Sequence, residues 1–269
     1  MTWALIVEPE PLPGAWNMAV DEHLFRLAGR STRTFLRFYS WERPTASLGY
    51  SQDASRVVDT AFCAARGIDV VRRMTGGKLV LHDREVTYAV ASSETSVFTA
   101  ALRDSYRLIS RALLEGLAAL GLAARLSETA PPAYAKGTMP CFAFAARDEI
   151  EIGGRKIVGS AQKRTGDLFL QHGSIPVEKD EALLAAVARP GESPESPGMT
   201  SLAEALGRPV AFDEAVGPLV EGFARFFGVA LERFALSPSD LDAVRALRDA
   251  KYASDDWTFR ARPAPPGFR

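Results

Sequence analysis

A chain of 269 residues, 47% hydrophobic and 24% charged, has an ordinary globular composition, long enough for one large α/β domain or a main domain with a small appendage. Its formal net charge of −1 supplies no global field to gather nucleic acid or a membrane surface. No run of about 18 apolar residues is present to span a bilayer, and the opening MTWALIVEPEPLPGAW lacks the charged start and long apolar stretch of a signal peptide.

Trp3 to Val7 reads as a short strand, and Ala15 to Ala28 as an amphipathic helix. Thr34–Tyr39 and Thr45–Tyr50 are strand-like, Val57–Arg66 is helical up to Gly67, and Ile68–Arg72 is a strand. A loop, Arg73-Met-Thr-Gly-Gly-Lys78, leads to two more strands on either side of Asp83. Val97 to Leu120 carries apolar residues at three- and four-residue steps and predicts a long helix. Ser127 to Pro140 has no period and reads as a long loop delivering Cys141; such loops are more often functional than idle. Gly153-Gly154, between Asp148–Ile152 and Lys156–Gln162, is a two-residue hairpin turn, and Leu168–Val177 adds a neighbouring strand. GESPESPG reads as a linker, and from Leu202 onward the chain is mostly helical, clearest over Ala211–Phe227 and Ser239–Lys251 with Ser239 as a possible cap.

Chemistry concentrates in a few places. Glycines let a backbone approach a ligand, and Arg72 and Arg73 beside Gly76-Gly77 can orient an anion. A phosphate-binding Walker loop is excluded, because Arg72 takes the first glycine position and Leu79 replaces Ser/Thr. The two cysteines form no CxxC pair and no disulfide framework, which favours a reducing, cytoplasmic setting. Cys63 lies within a helix and reads as a small buried hydrophobe, whereas Cys141 lies in the loop Met139-Pro-Cys-Phe142. Only a thiolate reacts, so a nearby cation matters, and Lys156 follows across the hairpin. Strict alternation would set Lys156, Val158 and Ser160 on one side of that strand, Ile157 and Gly159 on the other. Read from the residues alone, a glycine turn and a solvated lysine remain the bland alternatives. A Cys141–His172 dyad and a metal site from His82, His172 and Cys141 stay open too, although no ligand pair has metal spacing.

Together, Asn17-Met-Ala-Val-Asp-Glu22, Pro44-Thr-Ala-Ser-Leu-Gly49, Arg72-Arg-Met-Thr-Gly-Gly-Lys-Leu-Val-Leu-His-Asp83, Gly154-Arg-Lys-Ile-Val-Gly-Ser-Ala-Gln162 and Leu170-Gln-His-Gly-Ser174 resemble the lipoate–protein ligase A, octanoyltransferase and biotin ligase family. The resemblance implies an α/β (α+β) fold with a mixed, largely antiparallel sheet flanked by helices. It divides the chain into a catalytic domain, 1–235, and a short helical extension, 236–269. It implies that Arg72, Arg73, Thr75, Gly76, Gly77, His82, Gly159 and His172 line the substrate site and that Lys156 contacts the acyl carbonyl. Ligases of the family usually carry a third glycine where this chain has Lys78. The Pro140-Cys141-Phe142 loop and the ending Lys251-Tyr-Ala-Ser-Asp-Asp-Trp257 look instead like the LipM-type octanoyltransferases, in which that cysteine becomes acylated.

The expected reaction is therefore transfer of octanoyl from acyl carrier protein to the lysine of a lipoyl-domain protein, such as the glycine cleavage H protein. It runs through Cys141, with no metal, no ATP, and no nucleic-acid or membrane partner. The rivals are an ATP-dependent lipoate–protein ligase, an octanoyl amidotransferase between lipoyl domains, and a non-catalytic acyl-binding protein.

Overall fold

Residues 1–99, 101–127, 148–189 and 198–260 are described by the computed structural model of this chain. In chain order its strands are β1 (Thr2–Val7), β2 (Phe35–Tyr39), β3 (Thr45–Leu48), β4 (Asp69–Arg72), β5 (Val80–His82), β6 (Glu85–Ser92), β7 (Arg125–Leu126), β8 (Ile150–Ile152), β9 (Arg155–Thr165), β10 (Leu168–Pro176) and β11 (Ala230–Arg233). The helices are α1 (Gly14–Ala28), α2 (Ala54–Val57), α3 (Thr60–Arg66), α4 (Leu102–Ala119), α5 (Glu181–Val187), α6 (Leu202–Leu206), α7 (Phe212–Phe227), α8 (Pro238–Leu247) and α9 (Asp255–Phe259), with a π-helical turn at Arg248–Tyr252.

One sheet of eight strands runs β11-β1-β2-β6-β10-β9-β8-β7, and β4-β3-β5 form a second, small sheet. The pairs of β11, β1 and β2 are parallel; every later pairing in the large sheet is antiparallel. This is the mixed, largely antiparallel architecture that the motifs imply. No helix among the described residues is long and apolar enough to cross a membrane.

Because side chains alternate across a strand, the large sheet carries two cores. On one face Phe38, Tyr88, Val90 and Phe169 pack with Ile109 and Leu113 of α4 and Leu219 and Phe223 of α7. Trp3, Phe98 and Phe227 add an aromatic cluster there. On the other face Phe35, Tyr39, Ala89 and Leu170 pack with Met18, Val20 and Leu24 of α1. The C-terminal segment joins this second core through Val244 and Tyr252. Helices α4 and α7 meet through Gly116 and Gly222, so closely that a Cβ on Gly222 would lie 2.3 Å from the Gly116 nitrogen.

Several local expectations change. The helix expected over 57–66 is two short ones, because the Asp59 carboxylate accepts from the Phe62 N–H and starts α3 afresh at Thr60. The helix expected from Val97 begins at Leu102, and Phe98 turns instead into the aromatic core. Ser237, not Ser239, caps α8, in a reciprocal capping box with Asp240. Ala230–Arg233, composed like a helix, is an edge strand because pairing with β1 overrides propensity. The Gly153-Gly154 hairpin is as expected, with φ of 57° and 78°.

Two glycine substitutions on α7 should act in opposite directions. Gly222→Ala is expected to destabilise by about 1–3 kcal/mol in urea unfolding, since its methyl meets backbone that cannot yield. Gly217→Ala, whose Cβ meets nothing within 4 Å, should stabilise by up to ~1 kcal/mol.

Candidate active site

Four neighbouring strands present two transverse rows of residues toward α1. Tyr39, Thr87, Ser174 and Gly159 stand abreast on β2, β6, β10 and β9. One step along the strands stand Arg37, Ala89, His172 and Ala161. Apart from His172, the places on β6, β10 and β9 hold only Gly, Ala, Ser or Thr, so the sheet surface is low there. A small cavity of about 30 Å³ lies there, floored by Gly159 and Ala161, walled by Met18, Tyr39, Trp41 and Val80, and reached by Arg73, His82 and His172.

The small sheet roofs this cavity. Parallel pairing of β3 with β4 and antiparallel pairing with β5 bring the Arg72 and His82 ends around Ser47. The connection from β4 to β5 crosses the end of β3 at Gly49. A Cβ on Gly49 would lie 1.9 Å from the Gly77 carbonyl oxygen, so only glycine lets the loop seat there. Gly77 itself has φ of 94°, a backbone state that other residues rarely adopt.

Two buried polar networks meet the cavity. In the first, an Arg73 Nη1–H donates to Ser47 Oγ (2.7 Å), Ser47 Oγ is 2.7 Å from His82 Nε2, and His82 Nδ1 is 2.8 Å from Glu85 Oε1. Glu85 also accepts from Trp41 Nε1 (3.1 Å), Ser174 Oγ (2.5 Å) and Thr87 Oγ1. The Trp41 ring stacks on His82 with centroids 4.0 Å apart. In the second, Thr75 Oγ1 is 2.7 Å from His172 Nε2, and His172 Nδ1 is 2.8 Å from Asp21 Oδ2. Asp21 further accepts from Tyr39 Oη and Arg37 Nη1, each at 2.9 Å.

These contacts set the charges. Burial pushes the Glu85 carboxyl up, but His82 beside it and the bonds from Ser174 and Thr87 hold it below its ordinary value. Burial likewise opposes ionisation of Asp21 and is outweighed by the His172 bond and by Arg37, so its carboxyl is also lowered. Burial depresses the His172 imidazole against the pull of Asp21 and leaves it neutral at pH 7. The Tyr39 phenol is driven well above its ordinary range by burial and by Asp21.

Of the expected site residues, Arg73, His82, Gly159 and His172 line the cavity. Thr75 stands behind His172, and the Gly76 carbonyl accepts from Arg73 Nη2 at 3.0 Å. Arg72 does not reach the cavity. Its buried guanidinium donates to carbonyls of Gly49, Tyr50 and Gln52 at 2.9, 2.9 and 2.7 Å and to those of Trp257 and Thr258 at 3.0 and 2.8 Å. Lys156 is fully buried, is absent from the cavity lining, and pairs with Glu149 Oε1 at 2.8 Å. Strict alternation fails just beyond it: Ile157 is an extra residue on β9, in a bulge between the Lys156–Glu151 and Val158–Ile150 pairs. Ile157 and Val158 consequently share one core.

Cys141 lies outside the described residues. Cys63 is buried in α3, where burial and Asp59 push its thiol up to about 11, so it is a spectator. Both ring nitrogens of His82 and of His172 are engaged, and no group of three or more His, Cys, Asp or Glu among the described residues could hold a metal ion. Sequence reasoning missed Asp21, Ser47, Glu85 and Glu149. The first two sit inside motifs already singled out, and Glu85 follows His82 by three positions.

Residues 13–224 match the model of the lipoyl protein ligase A/B catalytic domain. The chain belongs to this family. It is 38% identical to octanoyltransferase LipM of Symbiobacterium thermophilum over 92% of its own length and 95% of that protein. With octanoyltransferase LipM of Kyrpidia tusciae the identity is 37%, over 96% and 99% of the two chains. Among solved structures it is similar to a lipoate-protein ligase A bound with ATP, with a TM-score of 0.83 and 25% identity over 96% of this chain and 99% of that one.

The ionisation pattern fixes how stability responds to acid. Asp21 and Glu85 lie below their ordinary values when folded, so their stabilisation is complete above the ordinary carboxylate range and is lost as pH falls through the folded values. His172 is also lowered, so below about pH 6.5 the unfolded chain takes up a proton that the folded one refuses. Half-buried Asp69 and Asp83, raised by burial, act in the opposite sense and are outweighed by the fully buried groups. Urea midpoints should therefore decline steadily from pH 7 to pH 4; a midpoint at pH 5 matching that at pH 7 would contradict this.

Proposed function

We propose that this chain accepts octanoyl from the thioester of an acyl carrier protein and delivers it to the lysine of a lipoyl-domain protein, by way of an acyl group on Cys141. The observation that carries octanoyl transfer is identity of 38% and 37%, over nearly the whole chain, to proteins named octanoyltransferase. The apolar cavity, floored with small residues beside the Arg73–Gly77 loop, supports it as a place for an unbranched chain.

In this reading the Cys141 thiolate attacks the thioester carbonyl, the tetrahedral adduct collapses, and the carrier thiol leaves with a proton. The acceptor ε-amine then attacks the new thioester, an amide forms, and the cysteine thiol is released. Two moderate barriers replace one high one. The donor is already activated and conversion of thioester to amide is downhill, so the scheme needs no ATP. Lys156 is the group we assign to favouring the thiolate and steadying developing charge, with Glu149 holding its ammonium. Amides of the Gly76-Gly77 loop, or of Gly159, are the oxyanion donors. Each methylene buried in the cavity is worth ~0.8 kcal/mol, so neighbouring chain lengths should differ only modestly.

Intact mass after incubation with octanoyl-acyl carrier protein should show one hydroxylamine-sensitive octanoyl adduct, lost in Cys141→Ser. Lys156→Met should slow its formation on the order of 100-fold or more. Transfer from octanoate plus ATP that survives Cys141→Ser would instead favour an ATP-dependent ligase.

A further inference from the structure

The Arg73–Lys78 loop is held at both ends by chains of the same construction: a buried carboxylate, a histidine and a hydroxyl. At one end Asp21 accepts from His172 Nδ1–H (2.8 Å). Ionised carboxylates only accept, so Nε2 of the neutral ring must itself accept, and the hydroxyl of Thr75 donates to it at 2.7 Å. At the other end Glu85 accepts from His82 Nδ1–H (2.8 Å), and His82 Nε2 lies 2.7 Å from the Ser47 hydroxyl oxygen. Arg73 Nη1–H donates to the same Ser47 oxygen at 2.7 Å.

What these chains hold is the direction of the loop's peptide groups. The Thr75 carbonyl accepts from the Tyr50 N–H at 2.8 Å, and the Gly76 and Lys78 carbonyls accept from Arg73 Nη2 at 3.0 and 2.9 Å. In a trans peptide the carbonyl and the next N–H point opposite ways. The N–H groups of Gly76 and Gly77 are therefore turned away from these anchors, and neither has a backbone acceptor among the described residues. Successive backbone N–H groups of this kind are the groups from which anion-binding nests are built.

We propose that Asp21 and Glu85 are positioning residues for the transfer reaction: through His172–Thr75 and through His82–Ser47–Arg73 they fix the loop, before any donor arrives, in the shape whose Gly76 and Gly77 amides receive the developing oxyanion. The proposal rests on the acyl-transfer reading. Such pre-organisation acts on the transition state and leaves ground-state binding of the chain nearly unchanged.

The test is steady-state octanoyl transfer to a lipoyl domain by the full chain. Asp21→Asn, Glu85→Gln, Thr75→Val and Ser47→Ala should each lower kcat about tenfold or more with KM within about twofold. Thr75→Ser should retain wild-type kcat, and Asp21→Asn/Thr75→Val should be no slower than the slower single variant, because one chain is cut twice. Thr75→Val and Ser47→Ala carry the test if a carboxylate variant does not fold. Wild-type kcat in folded Thr75→Val and Ser47→Ala, multiplicative losses in the double variant, or Thr75→Ser as slow as Thr75→Val would each overturn the proposal. Cysteine adduct formation is scored separately by mass. A wild type that transfers octanoyl without it would count against the Cys141 scheme, while the kcat comparison still decides the positioning claim.

Discussion

A carboxylate removed from water must be met by donors and opposite charge, or the several kcal/mol lost in dehydrating it go uncompensated. Asp21 and Glu85 are both in that position, and each recruits partners from several elements. Asp21, on α1, is met by Arg37 and Tyr39 of β2 and by His172 of β10. Glu85, opening β6, is met by His82 at the end of β5, by Trp41 after β2 and by Ser174 of β10. A slip of one residue in β2 or β10 would turn these donors to the opposite face and strand both charges. Apolar residues would pack as well; what the carboxylates add is a single permitted arrangement of α1, the large sheet and the small sheet around one cavity.

The second constraint is room. The space exists because the transverse rows on β6, β9 and β10 carry small residues over the same few positions where β2 carries Tyr39. Its roof can close only because Gly49 admits the Gly77 carbonyl. On the opposite face Gly173 leaves no space for a methyl either, since its Cβ would lie 2.6 Å from both Ser160 Oγ and the Tyr88 ring. Glycine here answers close approach rather than flexibility, and the rigid hydrogen-bonded walls preserve what the glycines open.

Much of this architecture was legible in the residues. Strands β8 and β9 were marked by the Gly153-Gly154 turn between them, and the family by motifs scattered along the first two-thirds of the chain. Arg73, His82, Gly159 and His172, from separate stretches of the chain, meet at one cavity. What stayed hidden depends on partners distant in sequence. Nothing near Arg72 says that its acceptors lie at 257 and 258, and nothing near Lys156 says that Ile157 bulges. An aspartate on an amphipathic helix reads as a solvated face until β2 and β10 are placed over it. The helix-like composition of Ala230–Arg233 misleads for the same reason, because its structure is imposed by β1.

The Arg72 clamp has a consequence for biosynthesis. Its guanidinium is wholly buried, and part of its acceptor set is the Trp257 and Thr258 carbonyls, while the Trp257 indole donates back to the Arg72 carbonyl at 2.9 Å. A nascent polypeptide emerging from the ribosome has made every cavity-lining residue by position 174, yet it lacks these acceptors for more than eighty further residues. Until then the strand leading into the glycine loop carries a cation with an incomplete set of partners. Completion of the cradle thus waits for residues 257 and 258, and a product terminated before them holds the whole cavity lining without the clasp that secures it.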